Sequence, residues 1–234
     1  MKFYTKLFSL ILATAISAEA HTDGKTTQAF SLVHSSQSDN SVTKVINEII
    51  KKEIKPISKL ESVITAIKQQ NLEHTNIHEI KIIALDQKWR LETEKLGSGP
   101  IDHPLINKLL NKFASKELRS IKDKQKGLFT EIIVTDNKGL NVAISDITSD
   151  YWQGDEDKWL KTFQVGPKAI FIGEPDLDES TQAFQLQISI TIIDPLNDQG
   201  IGSLTVGLDL DLLELILEDE VEESSFNNRN LPNE

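Results

Sequence analysis

Residues 184–193 read Phe-Gln-Leu-Gln-Ile-Ser-Ile-Thr-Ile-Ile. Apolar side chains at 184, 186, 188, 190 and 192 alternate with Gln185, Gln187, Ser189 and Thr191, the period of a strand with one face on a core. The same alternation returns at Leu204, Val206, Leu208 and Leu210, after a turn at Pro195–Gly200. Upstream, Phe129–Asp136 and Leu140–Ser145 flank Asp136-Asn137-Lys138-Gly139, a turn-forming quartet, so they predict a hairpin with Leu140, Val142 and Ile144 on one face. Lys168–Ile172 predicts one more strand between these pairs. The second half of the chain is a sheet.

The first half carries the other period. Ser41 is the expected N-cap of a helix bearing Val42, Val45, Ile46, Ile49, Ile50 and Ile54 at 3-4 spacing. Pro56 interrupts, and Ile57, Leu60, Val63, Ile64 and Ile67 carry the stripe on to Asn71, as one kinked helix or two abutting ones. A third helix is expected over Ile77–Glu94, with Ile80, Ile83, Ala84 and Leu91 on its apolar side, ending at Gly97-Ser98-Gly99-Pro100. Leu105, Leu109, Leu110, Phe113 and Leu118 mark a fourth, stopping near Gly127. Helices first and antiparallel strands second give an α+β fold whose helices cover one face of the sheet.

Composition narrows the chemistry. The 234 residues carry a net charge of −11 with a pI near 5.0, which disfavours binding to nucleic-acid phosphates. With no cysteine, disulfides, thiolate metal sites and Cys nucleophiles are excluded. Met1–Ala20 has Lys2 and Lys6 before an apolar stretch and ends in Ala18-Glu19-Ala20, the pattern of a cleavable signal peptide. His21–Asn40 reads as a loose polar leader, residues 41–217 as the folded domain and residues 218–234 as an acidic tail. No later apolar run is long enough for a membrane span; Leu212–Leu217 is short and contains Glu214.

Six segments follow one another in a recognisable order: Ala66–Asn71 (AIKQQN), Leu85–Arg90 (LDQKWR), Phe129–Gly139 (FTEIIVTDNKG), Val142–Ser145 (VAIS), Thr148–Trp159 (TSDYWQGDEDKW) and Ile201–Leu210 (IGSLTVGLDL). Together they resemble a single Cache domain, the PAS-like extracytoplasmic sensor fold also called PDC, over Val42–Leu213. The resemblance implies N-terminal helices packed on a PAS-like central antiparallel sheet, and a small molecule bound in a pocket on one sheet face. Amino acids, amines and carboxylates are the ligand classes it implies. Cache domains usually lie between two membrane helices of a receptor. A leader without a second span leads instead to the expectation of a periplasmic or secreted module, acting through a membrane receptor or as a homodimer.

Asp150–Trp159 gathers two Trp, one Tyr, three Asp and one Glu into ten residues. Flat amphipathic rings and a few oriented carboxylates are what a small-ligand pocket requires. The expected ligand contacts are Asp150, Tyr151, Trp152 and Asp155, joined by Asp194 at a strand end. Each has a plainer reading: Asp155, Glu156 and Asp157 as the acidic start of a helix, and Asp194 as a turn initiator. Trp159, with Leu160 and Phe163 at helical spacing, reads as core. Arg90 either clamps a carboxylate or pairs on the surface. His74 and His78 stand at i, i+4, a metal pair in outline but with too few ligands. No catalytic motif is present, and no catalytic residue, metal or cofactor is expected. The alternative to a ligand-binding module is an interaction or dimerisation module that kept the fold while large side chains filled its pocket.

Overall fold

A computed structural model describes residues 35–96, 102–177 and 184–218. Residues 1–20, the leader up to residue 34 and the tail beyond residue 218 lie outside the described residues, while the last six residues of the leader, 35–40, are helical. Helix α1 (Ser35–Ile49) runs into one π-helical turn (Ile50–Ile54) and a short α2 (Lys55–Ile57), with Pro56 in its first turn, where a missing N–H costs nothing. Leu60 turns extended, and α3 (Glu61–Glu73) follows. The stripe is therefore carried by two abutting helices, and the boundary between them falls at Leu60, four residues past Pro56. α1 starts six residues before Ser41; the polar stretch from Ser35 carries no apolar stripe, so periodicity cannot register it.

Strands β1 (Phe129–Thr135), β2 (Asn141–Ile144), β3 (Ile170–Ile172), β4 (Asp176–Leu177), β5 (Phe184–Ile193) and β6 (Gly200–Asp209) form one antiparallel sheet in the order β2-β1-β6-β5-β3, with β4 also on β5. Long β5 and β6 sit at its centre, joined by the expected turn. Residues 210–218 continue β6 as a helix that buries Leu213. The fold is α+β, as the sequence predicts.

One face of the sheet holds the main core. Leu186, Ile188, Ile190 and Ile192 of β5, with Leu204, Val206 and Leu208 of β6, meet Ile50, Ile54, Val63 and Ile67 from the helices. The other face is polar and nonetheless buried, against the usual expectation that an alternating strand wets its polar side. Ser189 is fully buried, and Gln185, Thr191, Ser203 and Thr205 are nearly so. Their polar groups satisfy one another. Thr135 and Ser203 pair at 2.7 Å, Ser189 and Thr205 at 2.9 Å, and the Thr191 hydroxyl donates to the Gly166 carbonyl at 2.7 Å. Gln185 and Gln187 each donate to Glu131 Oε1 at 2.9 Å. The cover is α7 (Asp157–Leu160) and the turns after it, which bring Phe163 beside Thr191.

Helices α4 (Glu79–Thr93) and α5 (Pro104–Leu110) build a second core with edge strand β2. Here the expected face of α4 is the wrong one. Ile80 is 82% exposed and Leu91 53%, Ile83 and Ala84 are exposed as well, and the buried face carries Ile82, Asp86, Trp89 and Glu92. Two acids sit inward because each satisfies backbone donors of another element. Glu92 caps α5 by accepting from the N–H of Leu105 at 2.9 Å and of Ile106 at 3.0 Å. Asp86 does the same for a loop described below.

The single expected fourth helix is two, α5 and α6 (Phe113–Lys124), broken where Lys112 turns extended at φ −56°, ψ 143°. The break has a packing cause. Ile106 and Leu109 bury in the second core, whereas Ala114 and Leu118 bury in the first, and one straight helix cannot serve both. Phe113 is left 73% exposed.

The β1–β2 hairpin closes at Gly139, whose φ is +80° and where a Cβ would come within 2.4 Å of Gly154 Cα. Both constraints demand glycine. Gly139→Ala is expected to lower stability by about 1–3 kcal/mol for the backbone alone, and more for the clash. Denaturant unfolding checks this, as a lower midpoint at unchanged slope. An unshifted midpoint would show that the Gly139–Gly154 approach is not required.

Candidate functional site

The residues 148–152 are held down by α4. Asp86 Oδ1 accepts the N–H of Tyr151 at 2.9 Å and of Trp152 at 3.1 Å, while Oδ2 accepts Arg90 Nε at 2.8 Å. Arg90 Nη2 reaches Asp150 Oδ1 at 2.8 Å, so its guanidinium bridges two carboxylates of its own chain. Trp89 Nε1 donates to the Thr148 carbonyl at 2.8 Å, and its ring lies 5.4 Å from that of Tyr151. Burial pushes the Asp150 carboxyl up, with Arg90 opposing. Hydrogen bonding to Asp86 holds the Arg90 guanidinium in its charged form.

A second polar network joins α3 to the hairpin. The Asp136 carboxylate is fully buried and accepts four bonds. The N–H groups of Lys138 (2.8 Å) and Leu140 (2.9 Å) donate to Oδ1, and Gln70 Nε2 (3.0 Å) and His74 Nδ1 (2.8 Å) to Oδ2. Lys112 completes the network, donating to Gln70 Oε1 and to the Val142 carbonyl, both at 3.0 Å. Burial pulls the Lys112 ammonium down to about 8; Lys108 adds to this, while Glu73 and Asp136 oppose it.

Between these two networks lies a cavity of about 730 Å³. One wall is the outward face of α3, from Glu61 through Thr65 and Gln69 to His74. Lys108, Leu109, Lys112 and Phe113 form the other, at the α5–α6 break, and Leu85 and Tyr151 contribute from the α4 side. The volume suits a small organic molecule, and apolar walls with a few convergent polar groups are what such sites require.

Of the five expected ligand contacts, the structure brings Tyr151 to this cavity and leaves the other four off its walls. Asp150 is the partner of Arg90, and its carbonyl accepts Asn141 Nδ2, Thr148 Oγ1 and Gln153 Nε2. Trp152 donates Nε1 to the Lys138 carbonyl at 2.8 Å. Asp155 is exposed. Asp194 stands at the β5–β6 turn, paired with Lys68 at 2.8 Å and accepting the Leu196 N–H at 3.1 Å; the Lys68 bond holds its carboxyl low. Trp159 is buried, stacked on Phe163 at 5.2 Å, with Nε1 donating to the Asp136 carbonyl.

His74 and His78 do not share a helix. His74 caps the end of α3 and His78 the start of α4, which dissolves the metal pair read from their spacing. Among the described residues, no three His, Asp or Glu side chains gather as a metal site, and no helix is long and apolar enough to cross a membrane. Gln70 and Lys112 carry no local signal, since Gln70 is one of four consecutive polar residues from Lys68 to Asn71 and Lys112 follows Asn111. The break at Lys112, which opens the cavity, leaves no proline or glycine in the sequence to announce it.

Asp86 offers a graded test of the clamp. Asp86→Ala leaves the Tyr151 and Trp152 amides without their acceptor, at an expected cost of about 2–3 kcal/mol. Asp86→Asn keeps an oxygen for those amides and loses only the charge facing Arg90, a half-exposed partner, at about 1 kcal/mol or less. Equal losses in the two variants, measured by denaturant unfolding, would assign the clamp to charge rather than to backbone capping.

No protein-family model matches the chain, and no curated protein matches it. Solved structures do. The sensor domain of the Vibrio cholerae histidine kinase DctB aligns at 14% identity and a TM-score of 0.43, covering 78% of this chain and 57% of that one. The Escherichia coli DcuS sensor domain aligns at 19% identity and a TM-score of 0.34, covering 58% and 90%. The sensory domain of the Campylobacter jejuni chemoreceptor Tlp3, with isoleucine bound, aligns at 13% identity and a TM-score of 0.35, covering 76% and 66%. This chain therefore spans just over half the length of the DctB sensor domain and just under two thirds of that of Tlp3.

Proposed function

We propose that this protein is a small-molecule binding and sensing module of the extracytoplasmic space, working through a partner signalling protein, and that its ligand occupies the cavity between α3 and the α5–α6 break. The observation that carries the reading is the cavity of about 730 Å³, with Tyr151, Gln70, His74 and Lys112 on its walls. The Cache-like order of segments in the sequence supports it. Tyr151 is the proposed aromatic contact, and Asp86, Arg90 and Asp150 hold its loop. Catalysis is no part of the reading.

One observation favours the alternative of an interaction module without a ligand. The polar face of the sheet, where the resemblance would place a ligand, is covered by α7 and satisfied internally, with Trp159 and Phe163 stacked beside it. If that face were the only site, the pocket would be filled. The open cavity among the helices separates the two readings.

Thermal unfolding of the mature chain against amino acids, amines and organic acids tests the proposal. A ligand of the native state at a hundredfold excess over Kd is expected to add about 2.7 kcal/mol. Thr65→Trp places an indole on the exposed cavity face of α3 and is expected to abolish that gain while leaving the apo melting temperature nearly unchanged. An unaltered ligand shift in Thr65→Trp would move the site elsewhere. No shift with any compound, together with a stable dimer in sedimentation, would favour the interaction module.

A further inference from the structure

The cavity has an asymmetric lining. Lys112 donates two of its three ammonium hydrogens to Gln70 and Val142, and among the described residues the third has no partner. Tyr151 is 6% exposed, lines the cavity, and its hydroxyl likewise has no partner among the described residues. A phenol without an acceptor is an unspent donor. Burial also pushes its ionisation up, with the Asp136 and Glu73 charges adding to the effect, so it stays a neutral donor. Lys112 is also the N-cap of α6, a twelve-residue helix with no side-chain cap and no acid in its first turn, and Phe113 and Ala114 of that turn line the same space. Three kinds of donor therefore line the same cavity, each suited to negative charge.

Resting on the cavity as the ligand site, we infer that it takes an organic anion, whose carboxylate sits between the Lys112 ammonium, the Tyr151 hydroxyl and the start of α6. The apolar part of the ligand lies against Leu85, Leu105, Leu109 and Phe113. Carboxylates on the walls fix its polarity. Glu73 is exposed on α3, accepts a bond from Gln69 and also acts on Lys112 and Tyr151, and Asp136 is already saturated by four donors. Glu61 begins α3, about 18 Å along the helix from Glu73, and Glu117 lies beside it through a bond from Ser62.

The pH dependence has a definite sign. The groups around Lys112 are Glu73 and His74 of α3, Lys108 of α5, Asp136 of the hairpin turn, and Tyr151. Lys112 is charged below about 8 and loses its proton above it, so anion affinity falls as pH rises through that value.

The experiment titrates the mature chain with benzoate against benzamide, and with 4-methylpentanoate against 4-methylpentanamide, by calorimetry between pH 6.5 and 9.5. At pH 7 the acids are expected to bind at least about tenfold tighter than their amides. The preference disappears in Lys112→Met and falls about tenfold per pH unit above the Lys112 titration. Tyr151→Phe keeps the ring against Trp89 and removes only the hydroxyl, so it is expected to weaken the acids several-fold at unchanged apo melting temperature. It carries the test if Lys112→Met does not fold. Amides that bind as tightly as acids, or an acid affinity unmoved in the folded variants, overturn the anion inference while leaving the cavity as a site. Failure of all four compounds to bind at about 10 mM overturns the inference and the cavity reading together.

Discussion

A single buried carboxylate holds the architecture of the site together. Asp136 sits at the closing end of the β1–β2 hairpin with no exposed surface, and an unpaired charge there would be prohibitive. Four donors remove that penalty. Two are backbone N–H groups of its own turn, which fix the turn, and two are side chains of α3, which fix the helix against it. Its backbone carbonyl receives Gly139 N–H and Trp159 Nε1, so the segment covering the polar face of the sheet is tied to the same residue. Helix layer, hairpin and α7 cover meet at one residue.

The cavity follows from how α3 is divided between two tasks. Val63 and Ile67 face the main core, and Gln70 and His74 reach the hairpin, so the row through Thr65 and Gln69 is left exposed among the described residues. On the far side, α5 and α6 must bury side chains in different cores, and the chain breaks at Lys112 to do so. The break keeps α6 from closing against α3 along its whole length. Lys112 then spans the remaining distance with its long side chain. The space between the helices is thus a consequence of two cores sharing one connector.

Much of the sheet was legible because it depends on period-two alternation, which is local. The hairpin, the β5 and β6 strands and the α+β order all follow from it. What alternation could not tell is whether the polar side faces water. Gln185, Ser189 and Thr191 look like solvent residues, and only tertiary cover with mutual hydrogen bonds makes them interior. The same limit misplaced the face of α4. Hydrophobicity points to Ile80, Ile83 and Leu91, yet Asp86 and Glu92 earn the interior by capping distant backbone amides, a demand no local pattern reveals. Site reading failed on similar grounds. The Asp150–Trp159 loop was visible as an unusual concentration of aromatic and acidic groups, but most of those groups hold the loop in place. Tyr151 alone among the five residues turns to the cavity, against Gln70, His74 and Lys112, which come from distant segments.

The wall of the cavity and the tie between α3 and the hairpin share residues, and this limits how binding could be felt elsewhere. Gln70 accepts from Lys112 and donates to Asp136, so a change in what Lys112 bonds is passed to the hairpin through one amide. An occupant shifts a conformational equilibrium only by the difference between its affinities for the two states. Here that difference would lie in the Lys112–Gln70–Asp136 chain and in the Tyr151 loop, both lining or adjoining the cavity, the loop being anchored in the second core. The exposed apolar row of α4, Ile80, Ile83 and Leu91, stands on the outer side of that same core, one helix thickness from Tyr151. Any displacement of the Asp86-clamped loop must therefore be taken up by α4, because Asp86 and Trp89 hold the loop and the helix as one body.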